Sequence, residues 1–266
     1  MTLTEQIATL TGARVTARVP LHGGDLSKVE RVDLDSGQSL VAKQGPQVAA
    51  EAAMLRTMAR VGAPVPKVLG EAPGLLLLEF LPETPSSPRS WAALGQALRK
   101  MHKVTGDTYG WDMDYAFGTV GIPNSPCRNW PQFWAENRLL TGVNALPPDI
   151  VARLKSLADR LPGLLPQHPP AALLHGDLWS GNVLFTGERA CFIDPACYYG
   201  DAEVDLAMLT LFGQPPNAFY EGYGPLPHGH EKRRPVYQLW PALVHLRLFG
   251  AGYRGMVTGL LDSLGA

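Results

Sequence analysis

Three side chains with oxygen donors stand at fixed intervals in the second half of this 266-residue chain. Asp177 precedes Asn182 by five positions, and Asp194 follows Asn182 by twelve. A carboxylate can accept the proton of a hydroxyl group, and carboxylate and amide oxygens are the ligands that Mg²⁺ prefers. Short apolar runs flank the three residues, so we expect them at the ends of β-strands. Together they could serve a metal-assisted transfer to a hydroxyl group.

The interval between Asp177 and Asn182 is that of the kinase catalytic loop, in which the Asp accepts the hydroxyl proton and the Asn ligates Mg²⁺. Asp194 stands where a kinase has its metal-binding Asp. We therefore predict Asp177 as the catalytic residue, and Asn182 and Asp194 as the ligands of Mg²⁺. The simpler alternative is a β-hairpin flanked by two hydrophilic turns, and the first third of the chain decides between the two.

Val-rich, alternating segments in residues 1–80 predict an antiparallel sheet of five strands with one main helix. Lys43 ends a Val-Ala-Lys strand like the one whose lysine pairs with nucleotide phosphates in kinases. Glu51 follows eight residues later on the predicted helix, where it can orient that lysine. Gly23 and Gly24 would let backbone amides approach a phosphate. Each has a common structural alternative: a solvated strand end, a surface glutamate and a hairpin turn.

The chain changes character after a continuously apolar strand that ends near Glu79 and Phe80. Prolines become frequent beyond this point, as is typical of a boundary. We predict a nucleotide-binding lobe over residues 1–80 and a mostly helical catalytic and substrate-binding lobe over residues 81–266. At the equivalent place in kinases a hinge binds adenine through its backbone, so Glu79 and Leu81 are predicted to contact the nucleotide.

An aromatic, glycine-rich segment from Tyr109 to Asn129 lacks helical or strand periodicity. Segments of this length are unusual in a compact domain unless they build a site. The ring of Trp111 could cover the C–H face of a sugar while Asp112 binds its hydroxyl groups. A packed loop without a ligand remains the alternative.

Several helices follow from capping and periodicity. Ser90 is predicted to cap one helix, and Asp201 to cap another that runs to Phe212. Asp205, one turn into the second helix, is interpreted as a buried carboxylate that holds the backbone of the catalytic loop. Pro241 is expected to kink or split a helix near the carboxyl end of the chain.

The composition excludes several classes of protein. A net charge of −1 favours neither a nucleic acid nor a membrane surface as partner. Three cysteines without CxxC spacing are typical of a reducing compartment. The sequence has no apolar signal segment and no run of about 18 apolar residues. We therefore expect a cytoplasmic monomer or weak dimer that contacts neither nucleic acid nor membrane.

The chain resembles the fructosamine kinase (ketosamine-3-kinase) family, within the aminoglycoside phosphotransferase and choline kinase-like branch of the protein-kinase fold. The resemblance rests on blocks in matching order: Tyr109-Gly110-Trp111-Asp112, His175-Gly176-Asp177-Leu178-Trp179-Ser180-Gly181-Asn182, Ile193-Asp194-Pro195-Ala196, Tyr199 to Met208, and His245-Leu246-Arg247-Leu248-Phe249-Gly250. Trp179 and Ser180 are the residues that point to this family in particular.

The resemblance implies an α+β, bilobal, protein-kinase-like fold and the use of ATP with Mg²⁺. It implies phosphorylation of the 3-hydroxyl of a fructosamine or ribulosamine, free or protein-bound. Later release of the phosphorylated sugar would then reverse the glycation. Trp179, with Trp111 and Asp112, would line the sugar site, and His175 would be structural.

The sequence departs from the family pattern between Asp114 and Asn124, and the loop from Leu21 to Ser27 lacks the cysteine that some relatives carry. Two other functions stay open. One is an aminoglycoside- or choline-type phosphotransferase, and the other is a pseudokinase that binds nucleotide without catalysis.

Overall fold

The computed structural model describes residues 1–21 and 27–266, so the predicted glycine turn at Gly23 and Gly24 lies outside the described residues. The first part of the chain folds into an antiparallel sheet of five strands in the order β1-β2-β3-β5-β4. The strands are β1 (Val15–Pro20), β2 (Lys28–Leu34), β3 (Ser39–Gln44), β4 (Val68–Ala72) and β5 (Leu75–Glu79).

Two helices cover the two faces of this sheet, α1 (Leu3–Thr11) and α2 (Val48–Arg60). The leucines of β5 alternate between them, because side chains along a strand point to opposite faces. Leu75 and Leu77 join a cluster with Ile7 of α1. Leu76 and Leu78, which alternate with them along the strand, pack with residues of α2. This two-sided burial explains why β5 is continuously apolar.

The second part of the chain is mostly helical, with short antiparallel strand pairs. Its helices are α3 (Pro88–His102), α4 (Trp130–Trp134), α5 (Pro148–Leu164), α6 (Glu203–Leu209), α7 (Asn217–Tyr223), α8 (His230–Phe249) and α9 (Arg254–Ser263), and a π-helical turn (Ala135–Leu139) extends α4. Its strands are β6 (Tyr115–Phe117), β7 (Val120–Ile122), β8 (Ala172–Leu174), β9 (Val183–Thr186), β10 (Arg189–Phe192) and β11 (Tyr198–Gly200). Strands β6 and β7 pair with each other, as do β9 with β10 and β8 with β11.

The predicted α+β architecture is confirmed. The boundary between residues 1–80 and 81–266 stays a prediction. Among residues 1–21 and 27–266, none of the helices combines the length and the apolar character that crossing a membrane requires.

Three details of the predicted helices were wrong. The N-cap of α3 is Ser87, and Ser90 occupies the third helical position of a reciprocal capping box. The N-cap of α6 is Ala202, although the Asp201 carboxylate still accepts a hydrogen bond from the amide of Glu203 at 3.1 Å. Helix α6 ends at Leu209, short of the predicted end.

Helix α8 runs without interruption through Pro235 and Pro241, so of the two predicted outcomes the split does not occur and the kink stays a prediction. A proline removes one hydrogen bond from a helix. Here most of the apolar face of α8 is buried in the main core, including Tyr237, Leu239 and Leu243. Burial of that face outweighs the loss of a backbone hydrogen bond.

Candidate active site

The loop that carries Asp177 begins where β8 ends and is tied to the segment before β11. The amide of Ala196 donates to the carbonyl oxygen of His175 at 2.8 Å. Gly176 has φ +82°, and a Cβ there would lie 2.0 Å from the carbonyl oxygen of Ala196. Only glycine fits at this position, because both the backbone conformation and the close approach exclude a side chain.

His175 joins this loop to the residue before Asp194. Its Nε2 lies 2.9 Å from the carbonyl oxygen of Ile193, which can only accept, so Nε2 carries the proton. Its Nδ1 accepts from the amide of Asp177 at 3.3 Å. Burial lowers the pKa of His175 and keeps the ring neutral, as these two contacts require. The ring therefore links the backbones that carry Asp177 and Asp194.

Asp205, on α6, is hydrogen-bonded to the backbone of the same loop. Its carboxylate is completely buried and accepts hydrogen bonds from the amides of His175 at 2.8 Å and Gly176 at 2.9 Å. Nε2 of His102 lies 3.0 Å from it, and Nδ1 of the same ring lies 2.9 Å from the hydroxyl of Tyr223. Burial alone would raise the pKa of Asp205, but its donors outweigh that and hold the pKa below its usual value.

Asn182 fixes the orientation of Asp177. Its Nδ2 donates to Asp177 Oδ2 at 2.9 Å and to the carbonyl oxygen of Asp177 at 2.8 Å. Burial raises the pKa of Asp177 to about 7; the hydrogen bond from Asn182 opposes this rise, and the neighbouring carboxylates of Asp194 and Asp205 add to it. A carboxyl group with a pKa near neutrality is suited to accept a proton at physiological pH.

Lys43 bridges the two lobes. Its Nζ lies 2.7 Å from Glu51 Oε2 on α2 and 2.8 Å from Asp194 Oδ1. The side chains of Lys43 and Glu51 are almost completely buried. Burial alone would lower the pKa of Lys43, but the two carboxylates outweigh that and raise it, so the ammonium stays charged. The sheet is thereby joined to the segment that carries Asp194.

Asp194 has φ +54°, the one positive φ of a residue other than glycine in the described parts of the chain. Such a conformation is costly for a side chain with a Cβ and is often found at functional sites. Over residues 1–21 and 27–266, no hydrogen bond reaches Oδ1 of Asn182, which is therefore free to bind a ligand.

The chemistry of these donors fits a divalent cation with a preference for oxygen. Asn182 and Asp194 would supply two oxygen ligands. No group of three or more His, Cys, Asp or Glu side chains suited to a metal occurs within the described ranges. A cation held by these two residues would therefore complete its coordination with phosphate and water oxygens, as Mg²⁺ does in nucleotide sites.

The segment after β5 connects the lobes and is fixed to the β9–β10 hairpin. Thr84 donates its amide to the carbonyl oxygen of Phe185 at 2.8 Å, and its hydroxyl accepts from the amide of Gly187 at 2.8 Å. Glu79 forms a backbone hydrogen bond to Lys67 at 2.9 Å. Leu81 lies between these anchored points, and within the described ranges its amide and carbonyl make no backbone hydrogen bond. Its backbone amide and carbonyl are thus free to form hydrogen bonds with a nucleobase.

The predicted sugar-binding residues lie on two separate segments. Trp111 is half-buried and packs on Tyr199, with ring centroids 5.5 Å apart, whereas Asp112 is exposed. Trp179, two residues after Asp177, is 38% exposed and meets Phe212 edge to face at 6.0 Å. The two tryptophans therefore have different aromatic partners.

Sequence reasoning missed two features of the site. The ring centroid of His245 lies 4.8 Å from that of Phe212, which itself packs on Trp179. The aromatic contacts of Trp179 are thereby extended to the last turns of α8. Tyr115, on β6, lies close enough to the site that burial, together with the negative charges of Glu51, Asp194 and Asp177, raises the pKa of its hydroxyl. The motif that contains His245 was visible in the sequence, but nothing local indicated that Tyr115 faces the carboxylates.

Comparison with known proteins gives consistent matches over the whole chain. Residues 1–265 match the fructosamine kinase family. The probable ketoamine kinase of Synechocystis is 36% identical, with 98% of this chain and 95% of the relative covered. The probable ketoamine kinase of Thermus thermophilus is 36% identical, with 89% and 90% covered.

A crystal structure from Thermobifida fusca, provisionally named a fructosamine-3-kinase, superposes with a TM-score of 0.89 at 35% identity, covering 100% of this chain and 99% of that one. The protein-kinase-like fold predicted from the sequence is confirmed. The resemblance found in the sequence motifs is confirmed as well, and the chain belongs to the fructosamine kinase family.

Proposed function

We propose that this protein transfers the γ-phosphoryl group of ATP to the 3-hydroxyl of a fructosamine or ribulosamine. The observation that carries the proposal is the joined arrangement of Lys43, Glu51 and Asp194 beside the Asp177–Asn182 loop. Phosphoryl transfer depends on positioning and on neutralisation of phosphate charge more than on covalent chemistry. Within one site, the arrangement supplies the ammonium group of Lys43, two oxygen donors for a metal ion and a carboxylate that can accept a proton.

Each residue has a separate task in this mechanism. Lys43, oriented by Glu51, binds the α- and β-phosphates, and the backbone near Glu79 and Leu81 contacts the adenine. Asn182 and Asp194 would hold Mg²⁺, which supplies neutralisation of the phosphate charge.

Asp177 accepts a hydrogen bond from the substrate hydroxyl and then takes its proton as the new P–O bond forms, while the bond from the γ-phosphorus to the β–γ bridging oxygen breaks and ADP leaves. Its pKa of about 7 leaves a substantial fraction ionised near neutral pH. The hydrogen bond from Asn182 keeps Oδ2 in a fixed position. The other oxygen of the carboxylate is left to face the substrate.

Trp179 and Trp111 provide aromatic surface for the sugar, and Asp112 provides an exposed carboxylate for its hydroxyl groups. Both the family and the relatives named as ketoamine kinases support a ketosamine as the substrate. The amine that carries the sugar is either a small molecule or a glycated lysine of a protein. Release of the phosphorylated sugar would regenerate the free amine and so repair glycation.

A substrate panel tests the proposal. The protein is incubated with ATP, Mg²⁺ and either fructosyl-, ribulosyl- or erythrulosyl-lysine, with choline and an aminoglycoside as the competing classes. Phosphorus NMR of the product then locates the phosphate on the sugar. Asp177→Asn serves as the inactive control. We expect a 3-phosphate on at least one ketosamine; turnover of choline or the aminoglycoside alone, or a phosphate at another carbon, would contradict the proposal.

A further inference from the structure

Arg138 is a completely buried arginine in the π-helical turn that follows α4. Its Nη1 donates to the carbonyl oxygens of Pro123 at 2.7 Å and Asn137 at 2.9 Å, and its Nη2 donates to Asn124 Oδ1 at 2.9 Å. Over the described residues it forms no salt bridge. Burying a charge without an opposite charge is costly. Because an apolar side chain could fill the same space without this free-energy cost, the arginine is expected to have a specific role.

The guanidinium is stacked among aromatic rings, and the carboxylate of Asp114 acts on its charge without forming a salt bridge with it. Its carbon lies 4.1 Å from the ring centre of Tyr198, 4.9 Å from that of Phe133 and 5.8 Å from that of Trp240. Cation–π contacts of this kind recover part of the desolvation cost. The planar fork is thereby held in one orientation and presents its N–H groups to the segment at residues 123–124.

Asn124 extends the contact into the segment that carries the proposed sugar-binding residues. Its amide donates to Asp114 Oδ1 at 2.8 Å, its Nδ2 donates to the carbonyl oxygen of Met113 at 3.1 Å, and its own carbonyl oxygen accepts from the amide of Trp111 at 2.9 Å. With Oδ1 bound to Arg138, each polar group of Asn124 has a partner. The hydrogen bonds of Asn124 therefore join the two ends of the segment from Trp111 to Asn124.

Arg138 also contacts the strand β11, which lies next to the strand that leads into the catalytic loop. Tyr198, on which the guanidinium stacks, pairs with Leu174, the last residue of β8 before the loop of Asp177 begins. Tyr199 exchanges two backbone hydrogen bonds of 2.9 Å with Gly110, the residue before Trp111. Arg138 thus contacts β11, which pairs with the strand that leads to Asp177, and it also contacts the segment that carries Trp111.

We propose that Arg138 is a positioning residue that sets Trp111 and Asp112 relative to Asp177, and so controls how the ketosamine is held. This inference rests on the proposed function. Arg138 reaches the nucleotide site through none of its described contacts, so its effect falls on the sugar and not on ATP.

Arg138→Lys is the direct test, because lysine keeps the charge but cannot bind two acceptors with a planar fork. We expect the KM for the ketosamine to rise about 10- to 100-fold, since a small misplacement of substrate costs this much, while the KM for ATP stays within about twofold. Arg153→Lys is the matched control. Arg153 is half-buried and binds Asp262 and the carbonyl oxygen of Ala266, far from the segment of Trp111.

Asn124→Ala is a second variant in case Arg138→Lys does not fold. It removes both the acceptor for Nη2 of Arg138 and the donor to Met113, so the same selective rise in the ketosamine KM is expected. Equal rises in both KM values, or no change in either, would overturn the positioning role.

Hydrogen exchange separates this inference from the proposed function. The amides of Trp111 and Asn124 should exchange faster in Arg138→Lys than in Arg153→Lys, while those of β2 and β3 stay unchanged. Unchanged exchange at residues 111 and 124 would overturn the positioning role whatever the substrate. Faster exchange there, with no ketosamine turnover in the unmodified protein, would support the contact and overturn the proposed function.

Discussion

Asp177 and Asp205 are two carboxylates that serve the same loop in opposite ways. Asp205 is completely buried and has three donors, the amides of His175 and Gly176 and the Nε2 atom of His102. Asp177 has one side-chain donor, Nδ2 of Asn182, over the described residues. The pKa of Asp205 is lowered, whereas that of Asp177 is raised to about 7.

Under the proposed function, the difference explains how a supporting carboxylate on α6 and a reactive carboxylate on the loop can lie side by side. A carboxylate that accepts three hydrogen bonds is stabilised as an anion, and complete burial keeps it out of reach of a substrate. A carboxylate with few donors and little water is destabilised as an anion and is ready to take a proton. We infer that the number of donors, not burial alone, separates the structural role from the chemical one.

The largest effect is expected from Asp177→Asn. The amide cannot accept the substrate proton, so kcat should fall about 10²- to 10⁴-fold, the usual contribution of a general base. Nucleotide binding should survive, because Lys43, Glu51 and Asp194 are untouched. A coupled ADP assay and calorimetric titration with ATP measure the two quantities. A variant with nearly unchanged kcat would show that Asp177 is not the proton acceptor.

The second prediction concerns Asp205→Asn. An asparagine side chain offers one acceptor oxygen where the carboxylate offers two, and its NH₂ group would face backbone donors. We expect the free energy of unfolding to fall by about 3 kcal/mol, the size of a broken buried charged network. Urea unfolding followed by tryptophan fluorescence measures the change.

Asp177→Asn is the matched control for this loss, because it makes the same chemical change in the loop that Asp205 supports. It should leave the unfolding free energy unchanged or raise it. If the two variants were destabilised equally, the contrast between a support and a reactive group would not hold.

Much of this contrast was visible in the sequence. The spacing of Asp177, Asn182 and Asp194, and the pairing of Lys43 with Glu51, follow from local motifs that a short stretch of chain is enough to define. The strands of residues 1–80 were predictable because alternation of side chains is a local signal.

Other features depend on contacts between distant parts of the chain. The β6–β7 hairpin and α7 are short and weakly periodic, and they form because their neighbours bury them. Nothing in the sequence near Arg138 distinguishes it from an ordinary helical residue. Its role depends on Pro123, Tyr198 and Trp240, which lie up to about a hundred residues away and carry no shared pattern.

The smallest effect is a dependence of stability on pH that Asp177 should introduce in the absence of nucleotide and metal. Its pKa rises from an ordinary value of 3.8 to about 7 on folding, so the folded state binds more protons than the unfolded state between these values. Stability due to this group is therefore fully present below about pH 4 and is lost as the pH rises through about 7.

Asp177→Asn has no proton to lose and should not show this decline. Relative to the variant, the unmodified protein should thus lose about 1–2 kcal/mol between pH 4.5 and pH 8, a figure reduced from the full linkage value because the side chain keeps partial contact with solvent. Urea unfolding of both proteins across this range measures the difference. Asp205, whose pKa is lowered, should give the opposite sign, with its stabilisation lost only in acid below about pH 4. A parallel pH dependence for the unmodified protein and Asp177→Asn would assign the linkage to another group and remove the physical basis for treating Asp177 as the reactive carboxylate.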